Sequence, residues 1–342
     1  MNLLNIQSTK VKWVIDEEQN NLCFALDKLG IKYKRNRISL FSKYNYLSSR
    51  FMFDLPLSIP KIPWQKYFID YYHGGLFQEK IFDRNIKNII KHQKSIQRIR
   101  VSSSLYKNLL IKKGIQPNKI QLIPIPVNTE IYHPHKDNEI LELKRKLNIP
   151  EQSFLIGSFQ KDGIGWGPES QPKLIKGPDI FIDTILLLKK EIKNIFLILT
   201  GKSRSYIIKR LNEIGIKYIY LDVDDPKFRS KLYGILDAYL ICSREEGGPK
   251  GFLESISCNT PVITTNVGQV VDIGKDGYNS FISYSFNPEE ISGKFMEFYN
   301  LKNTSNLKFN MQKTAKNNSL NELVKQWEVF FDEIIIKSKV KK

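Results

Sequence analysis

Residues 243–263, with the sequence SREEGGPKGFLESISCNTPVI, contain the pattern that determines the expected fold. An apolar stretch ends at Ser243, a glycine-rich loop follows, and a second β-branched stretch opens at Pro261. The spacing of apolar residues over 251–259 predicts a helix between them. A strand, a loop and a helix in this order form the βα unit of a parallel sheet.

The same alternation extends outward from this unit along most of the chain. From residue 154 onward, strands are predicted at 154–159, 195–201, 218–223, 238–243, 261–265 and 280–284, with a crossover helix at 178–190. Before it, strands are predicted at 12–15, 67–73, 99–103 and 121–127, and helices at 20–29, 79–94 and 105–113. Strands alternating with helices predict an α/β fold with parallel sheets.

The length of 342 residues favours two domains over one. We expect an N-terminal domain over 1–135 and a C-terminal domain over 150–316. Residues 133–139 are the expected connection. The fold class is therefore α/β, with two Rossmann-like domains built on parallel sheets.

The composition excludes several classes of protein. Hydrophobic residues make up 41% of the chain and aromatic residues 12%, which is too apolar for a disordered chain. The sequence contains no apolar run of membrane-spanning length and no signal-peptide pattern. Its three cysteines, Cys23, Cys242 and Cys258, lack the spacing of a disulfide framework or a zinc site. A reducing cytoplasm is the expected compartment.

The positive charge is concentrated in the first part of the chain. The formal net charge is +18, and residues 1–136 carry +14 of it. A basic half can attract nucleic acid, anionic lipid or a phosphorylated substrate, although lysine is frequent throughout and part of the excess is compositional. Residues 41–64 mix aromatic, basic and proline residues, which predicts an ordered loop or a lid.

The loop and helix of the opening stretch provide candidate site residues. Backbone amides at the start of a helix bind anions such as a diphosphate. Carboxylates on either side suit sugar and ribose hydroxyls, although both could instead be helix-start residues that complement the helix dipole. The anion candidates are Gly248, Lys250, Gly251, Phe252 and Leu253, and the carboxylates are Glu246 and Glu254.

The stretch from Asp237 to Gly277 resembles the signature of the retaining glycosyltransferases of family 4, which have the two-domain GT-B fold and belong to the glycosyl transferases group 1. Two glutamates separated by seven residues, in a strand, loop and helix context, carry this resemblance. The matching positions are Ser243, Glu246, Gly247, Gly251, Leu253, Glu254, Pro261, Val262, Gly268, Asp276 and Gly277. The resemblance implies that the two parallel sheets face a central cleft and that a C-terminal helix at 320–342 completes the N-terminal domain. The C-terminal domain is then expected to bind a nucleotide sugar, and the N-terminal domain to bind the acceptor.

The resemblance also implies roles for individual residues. Glu246 would contact the transferred sugar, Glu254 the ribose hydroxyls, and Lys176 of the Lys176-Gly177 pair the donor diphosphate. His73 resembles the residue that faces the donor sugar, although a lone histidine at a strand end is more often structural. An arginine of the family pattern is missing after the strand at 154–159, where the sequence offers Gln160 and Lys161. Arg204 is a further donor-binding candidate.

The resemblance implies a metal-independent hexosyltransferase without a cofactor, whose partners are a nucleotide sugar and a glycan or lipid-linked acceptor. Such an enzyme would serve the synthesis of surface polysaccharide or lipopolysaccharide. It is expected in the cytoplasm, or peripherally at an anionic inner membrane face, and nucleic acid is not an expected partner. One alternative is a degenerate GT-B protein that binds membrane or nucleic acid, favoured by the missing arginine and by the missing glycine-rich loop after the first strand. A sugar-nucleotide epimerase is another.

Two further motifs fail on their context. Gly201-Lys202-Ser203 lacks the earlier glycine of a phosphate-binding loop, since Phe196 occupies that position. The acidic residues from Asp222 to Asp225 precede Pro226 and are predicted to cap a helix, which is a commoner role than metal binding.

Overall fold

The computed structural model describes residues 4–7, 14–36, 41–47, 62–76, 79–165 and 171–339. The chain divides into two compact units. Unit 1 consists of residues 1–126 and 318–342, and unit 2 consists of residues 127–317.

Parallel strands alternate with helices along both units. The strands are β1 (Leu4–Gln7), β2 (Tyr33–Asn36), β3 (Tyr44–Leu47), β4 (Lys66–Tyr71), β5 (Ile96–Val101), β6 (Ile120–Leu122), β7 (Phe154–Phe159), β8 (Ile195–Thr200), β9 (Lys217–Leu221), β10 (Ala238–Ile241), β11 (Val262–Thr265) and β12 (Phe281–Ser283). The helices are α1 (Val14–Lys28), α2 (Glu79–Lys91), α3 (Ser104–Lys112), α4 (Asp137–Lys146), α5 (Pro178–Glu191), α6 (Ser205–Glu213), α7 (Pro226–Gly234), α8 (Lys250–Ser257), α9 (Val270–Ile273), α10 (Pro288–Tyr299), α11 (Ser305–Asn317), α12 (Leu320–Phe330) and α13 (Asp332–Lys339).

The described strands of unit 1 form a six-stranded sheet in the order β2-β1-β3-β4-β5-β6. Its strand order reverses between β1 and β3, the point where open α/β sheets bind ligands. The segments that follow these two strands, 8–13 and 48–61, lie outside the described residues. Most of the lid expected at 41–64 falls there too.

The first strand lies earlier than the sequence predicted. The expected strand at 12–15 is wrong, because Val14 begins α1 and residues 12–13 are outside the described part of the chain. β1 is fully buried although polar residues alternate with Leu4 and Ile6. Asn5 accommodates this burial by donating a hydrogen bond to Asn45 at 3.2 Å. The glycine-rich loop is absent from the corrected position as well, since residues 8–13 contain no glycine.

The predicted C-terminal helix is broken at Phe331. α12 ends at Phe330 and α13 begins at Asp332, and the side chains of Phe330 and Phe331 are both 0% exposed. Successive residues on one continuous helix point about 100° apart, so a break allows both rings to enter the same core. Phe331 packs on Phe68 of β4 with ring centroids 5.0 Å apart. These helices thereby complete the core of unit 1.

A buried charge network connects α1 with β4 and β5. The Arg100 guanidinium lies 3.2 Å from a Glu18 oxygen and 3.7 Å from an Asp70 oxygen, and it donates to the Tyr72 hydroxyl. Tyr46 donates to Asp70 at 2.6 Å. Burial raises the pKa of Asp70 to about 6, although Arg100 favours its charged form. One guanidinium therefore compensates two carboxylates away from water.

The described strands of unit 2 form a six-stranded sheet in the order β12-β11-β10-β7-β8-β9. The six strands predicted for this part of the chain are confirmed, with small shifts at their ends. The sequence analysis placed Val127 and Tyr132 before the domain connection. In the structure both residues pack into the core of unit 2 and are 2% exposed. Within the described ranges, no helix has the length and apolar character needed to cross a bilayer.

We predict that Asp70→Asn changes the pH dependence of the stability of unit 1. The native pKa of about 6 exceeds the ordinary value of 3.8, so the native state holds the proton more tightly than the unfolded state. Protonated Asp70 therefore stabilises unit 1 at low pH, and this contribution is lost as pH rises from about 4 to about 6. Urea denaturation at pH 4 to 7 should show wild type losing stability relative to the variant as pH rises.

Asp83→Asn is the control within the same unit. A hydrogen bond from Lys113 lowers the pKa of Asp83, so its contribution is lost as pH falls. A pH-independent difference between wild type and the Asp70 variant would contradict the prediction.

Candidate functional site

The strand order of unit 2 reverses between β7 and β10. Ligands of open α/β sheets bind beyond the carboxyl ends of the strands at such a point. β7 ends at Phe159 and β10 ends at Ile241, so the residues that follow both strands are candidates for a ligand site.

Lys176 is brought to this edge by the backbone of Gly177. Gly177 has a φ of +63°, and a Cβ at this position would lie 1.8 Å from the carbonyl oxygen of Cys242, directly after β10. Only glycine combines this conformation with this approach. The 3₁₀ turn Leu174–Lys176 thus ends against β10, and α5 starts at Pro178.

Lys176 and Glu246 form an ion pair at this edge. The Lys176 Nζ lies 2.5 Å from Glu246 Oε2, and the Ser243 hydroxyl donates to Oε1 at 2.9 Å. The Lys176 side chain is 21% exposed and that of Glu246 is 10% exposed. Such a pair can bind an anion through the ammonium and a hydroxyl through the carboxylate. The structure thus brings together the residues expected at the diphosphate and at the sugar.

The loop between β10 and α8 packs against the turn that contains Gly268. A Cβ at Gly268, whose φ is +52°, would lie 2.7 Å from the carbonyl oxygens of Glu246 and Gly247. This close packing fixes the loop that carries Glu246 and Gly248, and the half-buried Gly248 directly precedes the N-cap Pro249.

The start of α8 lies directly after this loop, with Lys250 and Gly251 in its first turn. The amide of Phe252 already donates to the carbonyl oxygen of Pro249 at 3.0 Å, so it is not among the unpaired donors expected there. The side chains of Phe252 and Leu253 are 0% and 1% exposed and belong to the core of unit 2. The side chains of these two residues are therefore not accessible to a ligand.

Glu254 lies on the same helix and is almost completely buried. It is 5% exposed, and the Tyr233 hydroxyl donates to its Oε2 at 3.0 Å. The Nε of Arg229 lies 4.0 Å from the same oxygen and donates to the Tyr132 hydroxyl at 3.1 Å. The sequence indicated Glu254 by its spacing, but gave no signal for Arg229 and Tyr233 as its neighbours.

Arg204 supports the end of β7 from within the core. Its guanidinium donates to the Ser158 hydroxyl at 3.0 Å and to the carbonyl oxygen of Gln160, and it lies 3.2 Å from Asp162. Both side chains of the Arg204 and Asp162 pair are 0% exposed. Burial raises the pKa of Asp162 to about 6. These contacts fix the loop after β7, and the donor contact expected of Arg204 stays a prediction.

Further polar groups surround Lys176. Gln160 donates through its amide to the Lys176 carbonyl oxygen at 3.1 Å, and the half-buried Lys161 has a pKa lowered by burial. Burial, and then the charge of Lys176, lower the pKa of Lys173, while Glu246 acts in the opposite direction. The sequence analysis missed Lys173, whose only signal is its position three residues before Lys176.

His73 lies in unit 1, two residues after β4 ends. Its half-buried ring packs near that of Phe82 of α2, with centroids 6.0 Å apart. Contacts of this kind also suit a structural histidine.

The acidic run before α7 forms a helix cap. Asp225 accepts hydrogen bonds from the amides of Lys227 and Phe228, at 3.1 and 3.2 Å, which confirms the predicted role. The described part of the chain contains no group of three or more His, Cys, Asp or Glu side chains arranged to hold a metal ion.

Two doubly wound parallel sheets in one chain define the GT-B fold, and solved structures with this fold match the whole chain. HepE of Anabaena, crystallised with UDP and glucose, has a TM-score of 0.74 at 12% identity, covering 97% of this chain and 99% of that one. Sucrose-phosphate synthase of Thermosynechococcus elongatus has a TM-score of 0.73 at 11% identity, covering 98% and 100%. At these identities the similarity establishes the fold.

Residues 172–318 match the family model for the glycosyl transferases group 1. The match includes Lys176, Glu246 and Glu254. A curated relative is the α-galactosylglucosyldiacylglycerol synthase of Streptococcus pneumoniae, 24% identical over 233 residues. The alignment spans 66% of this chain and 58% of the length of that synthase.

We predict that Gly177→Ala severely destabilises unit 2. The new Cβ would overlap the Cys242 carbonyl and adopt an unfavourable φ, so the loss in free energy of unfolding should be about 4 kcal/mol or more. Chemical denaturation measures the loss.

Gly215→Ala is the matched control for Gly177→Ala. Gly215 has a similar φ of +65° with no atom within 4 Å of its Cβ position, so its cost should be about 1 kcal/mol. Equal losses in the two variants would show that the contact with Cys242 has no special weight.

Proposed function

We propose that the protein is a retaining glycosyltransferase of family 4 that transfers a hexose from a nucleotide diphosphate sugar to a glycan or lipid-linked acceptor. The observation that carries this proposal is the group of Lys176, Glu246 and Glu254 beside the start of α8, at the strand-order reversal of unit 2. The names of relatives support it, since one is a glycolipid synthase and one was crystallised with UDP and glucose.

The proposed roles follow from the charge that develops during the reaction. The bond between the anomeric carbon and the β-phosphate oxygen breaks, a bond to the acceptor oxygen forms, and the acceptor proton passes to the leaving phosphate. Lys176 and the amides at the start of α8 stabilise the negative charge on that phosphate, which is greatest in the transition state. Glu246 accepts hydrogen bonds from the sugar, and Glu254 from the ribose.

In this proposal, the positive charges close to the diphosphate make a metal ion unnecessary. Lys176 supplies one positive charge, Lys161 and Lys173 follow on the same side, and the helix dipole adds a partial charge. Together they perform the charge neutralisation that a divalent cation would otherwise supply. We also propose His73 of unit 1 as a contact of the transferred sugar, on the family pattern alone.

Donor binding is tested by thermal denaturation with UDP, GDP, ADP and their sugars. One nucleotide, at about 100 times its dissociation constant, should add about 2.7 kcal/mol of stability. Glu254→Ala should abolish this stabilisation and Lys176→Ala should weaken it, because they remove the ribose acceptor and the diphosphate cation. Glu297→Ala, which removes an exposed glutamate of unit 2, should leave it unchanged.

The outcomes of this experiment separate the candidate functions. Stabilisation by no nucleotide would overturn the transferase and favour a degenerate GT-B binding protein for membrane or nucleic acid. Stabilisation accompanied by conversion of the nucleotide sugar to its epimer, without an acceptor, would favour an epimerase.

We further propose that unit 1 binds the acceptor at an anionic membrane surface. An enzyme of surface polysaccharide or lipopolysaccharide synthesis would meet its acceptor there, on the cytoplasmic side. Phe41 is 95% exposed and Trp64 is 59% exposed. They precede the paired strands β3 and β4, where the Lys66 amide donates to the Lys43 carbonyl oxygen at 2.7 Å. Exposed aromatic rings beside lysines suit the interface of an anionic bilayer.

Cosedimentation with vesicles tests this surface. Vesicles containing phosphatidylglycerol should bind wild type, binding should fall with rising salt, and pure phosphatidylcholine should bind weakly. Phe41→Ala with Trp64→Ala should reduce binding, whereas Phe309→Ala, which removes an aromatic ring of unit 2 that is 70% exposed, should not. Absent or salt-insensitive binding would count against the proposal.

A further inference from the structure

Glu254 accepts a hydrogen bond from Tyr233, a residue to which the proposed reaction assigns no role. Tyr233 lies on α7 and is 1% exposed, and Glu254 lies on α8. The Tyr233 hydroxyl donates to Glu254 Oε2 at 3.0 Å. Burial raises the pKa of Tyr233 well above its ordinary value, so this hydroxyl keeps its proton and acts as a donor.

The ring of Tyr233 cannot easily move away from Glu254. It packs between Phe159 and Tyr239, with centroids 4.8 and 5.1 Å away, and edge-on to Tyr132 at 6.1 Å. Phe159 ends β7 and Tyr239 lies in β10, the two strands at the order reversal. The hydroxyl is therefore held in place by the sheet itself.

Arg229 adds a charge to this arrangement. Its Nε lies 4.0 Å from Glu254 Oε2 and donates to the Tyr132 hydroxyl. Tyr233 and Arg229 both approach the same carboxylate oxygen. A carboxylate accepts about four hydrogen bonds over its two oxygens, so Glu254 retains capacity for a ligand.

We propose that Tyr233 is a positioning residue that orients the Glu254 carboxylate to accept hydrogen bonds from the adjacent 2′- and 3′-hydroxyls of a nucleotide ribose. The inference rests on the proposed nucleotide-sugar site and adds a determinant of its selectivity. An unrestrained glutamate side chain samples several rotamers, whereas a restrained one loses less freedom when the ribose binds. Tyr233 thus increases the preference for a ribose over a sugar without these hydroxyls.

The test compares UDP, GDP and ADP with their 2′,3′-dideoxy counterparts by calorimetric titration. Wild type should bind its ribonucleotide more tightly than the dideoxy analogue. Tyr233→Phe should weaken the ribonucleotide by roughly tenfold, equivalent to about 1.4 kcal/mol, and change the dideoxy analogue by less than about twofold. Tyr71→Phe is the control, because Tyr71 is 2% exposed and donates its buried hydroxyl to the Gly74 carbonyl oxygen in unit 1.

Each outcome has a distinct meaning. Equal weakening of both ligands in Tyr233→Phe would assign Tyr233 a structural role only and overturn the inference. Unchanged affinities would overturn it as well, and in both cases the nucleotide site would stand. If wild type binds none of the nucleotides, the proposed function fails, and the role of Tyr233 fails with it. Thermal denaturation of both variants verifies that each is folded.

Discussion

The backbone contact between Gly177 and the carbonyl oxygen of Cys242 determines how the charged groups of unit 2 are arranged. It places the turn before α5 against the end of β10, so that Lys176 lies beside Glu246. No side chain could fill this space, so the lysine is positioned by the main chain and not by its own packing. A flexible lysine that starts from a fixed backbone loses less conformational entropy when it binds an anion.

The two carboxylates of the candidate site are restrained by different means. Glu246 is held by the Lys176 ammonium and the Ser243 hydroxyl. Glu254 is buried among aromatic rings and accepts a hydrogen bond from the Tyr233 hydroxyl. Preorganised dipoles of this kind reduce the reorganisation needed when charge develops.

Local patterns made the sheet of unit 2 and its main site residues predictable. β7 and the pair Lys176-Gly177 are recognisable because the apolar run and the turn are each encoded by adjacent residues. The first strand was missed because its burial depends on a hydrogen bond from Asn5 to a residue forty positions away. The partner of Glu254 could not be predicted either, since Tyr233 reaches it from another helix. Arg204 was recognised, but its burial beside Asp162 depends on tertiary packing.

Unit 1 is assembled from two stretches of chain that are separated by the whole of unit 2. During translation, the aromatic core around Phe68 must wait for Phe330 and Phe331, which are synthesised about 260 residues later. At about 5–20 residues per second, the delay is on the order of ten seconds or more. Unit 2 can fold within that time, while an apolar face of the nascent unit 1 stays uncovered. The order of synthesis therefore makes unit 1 the part of the chain that completes its core last.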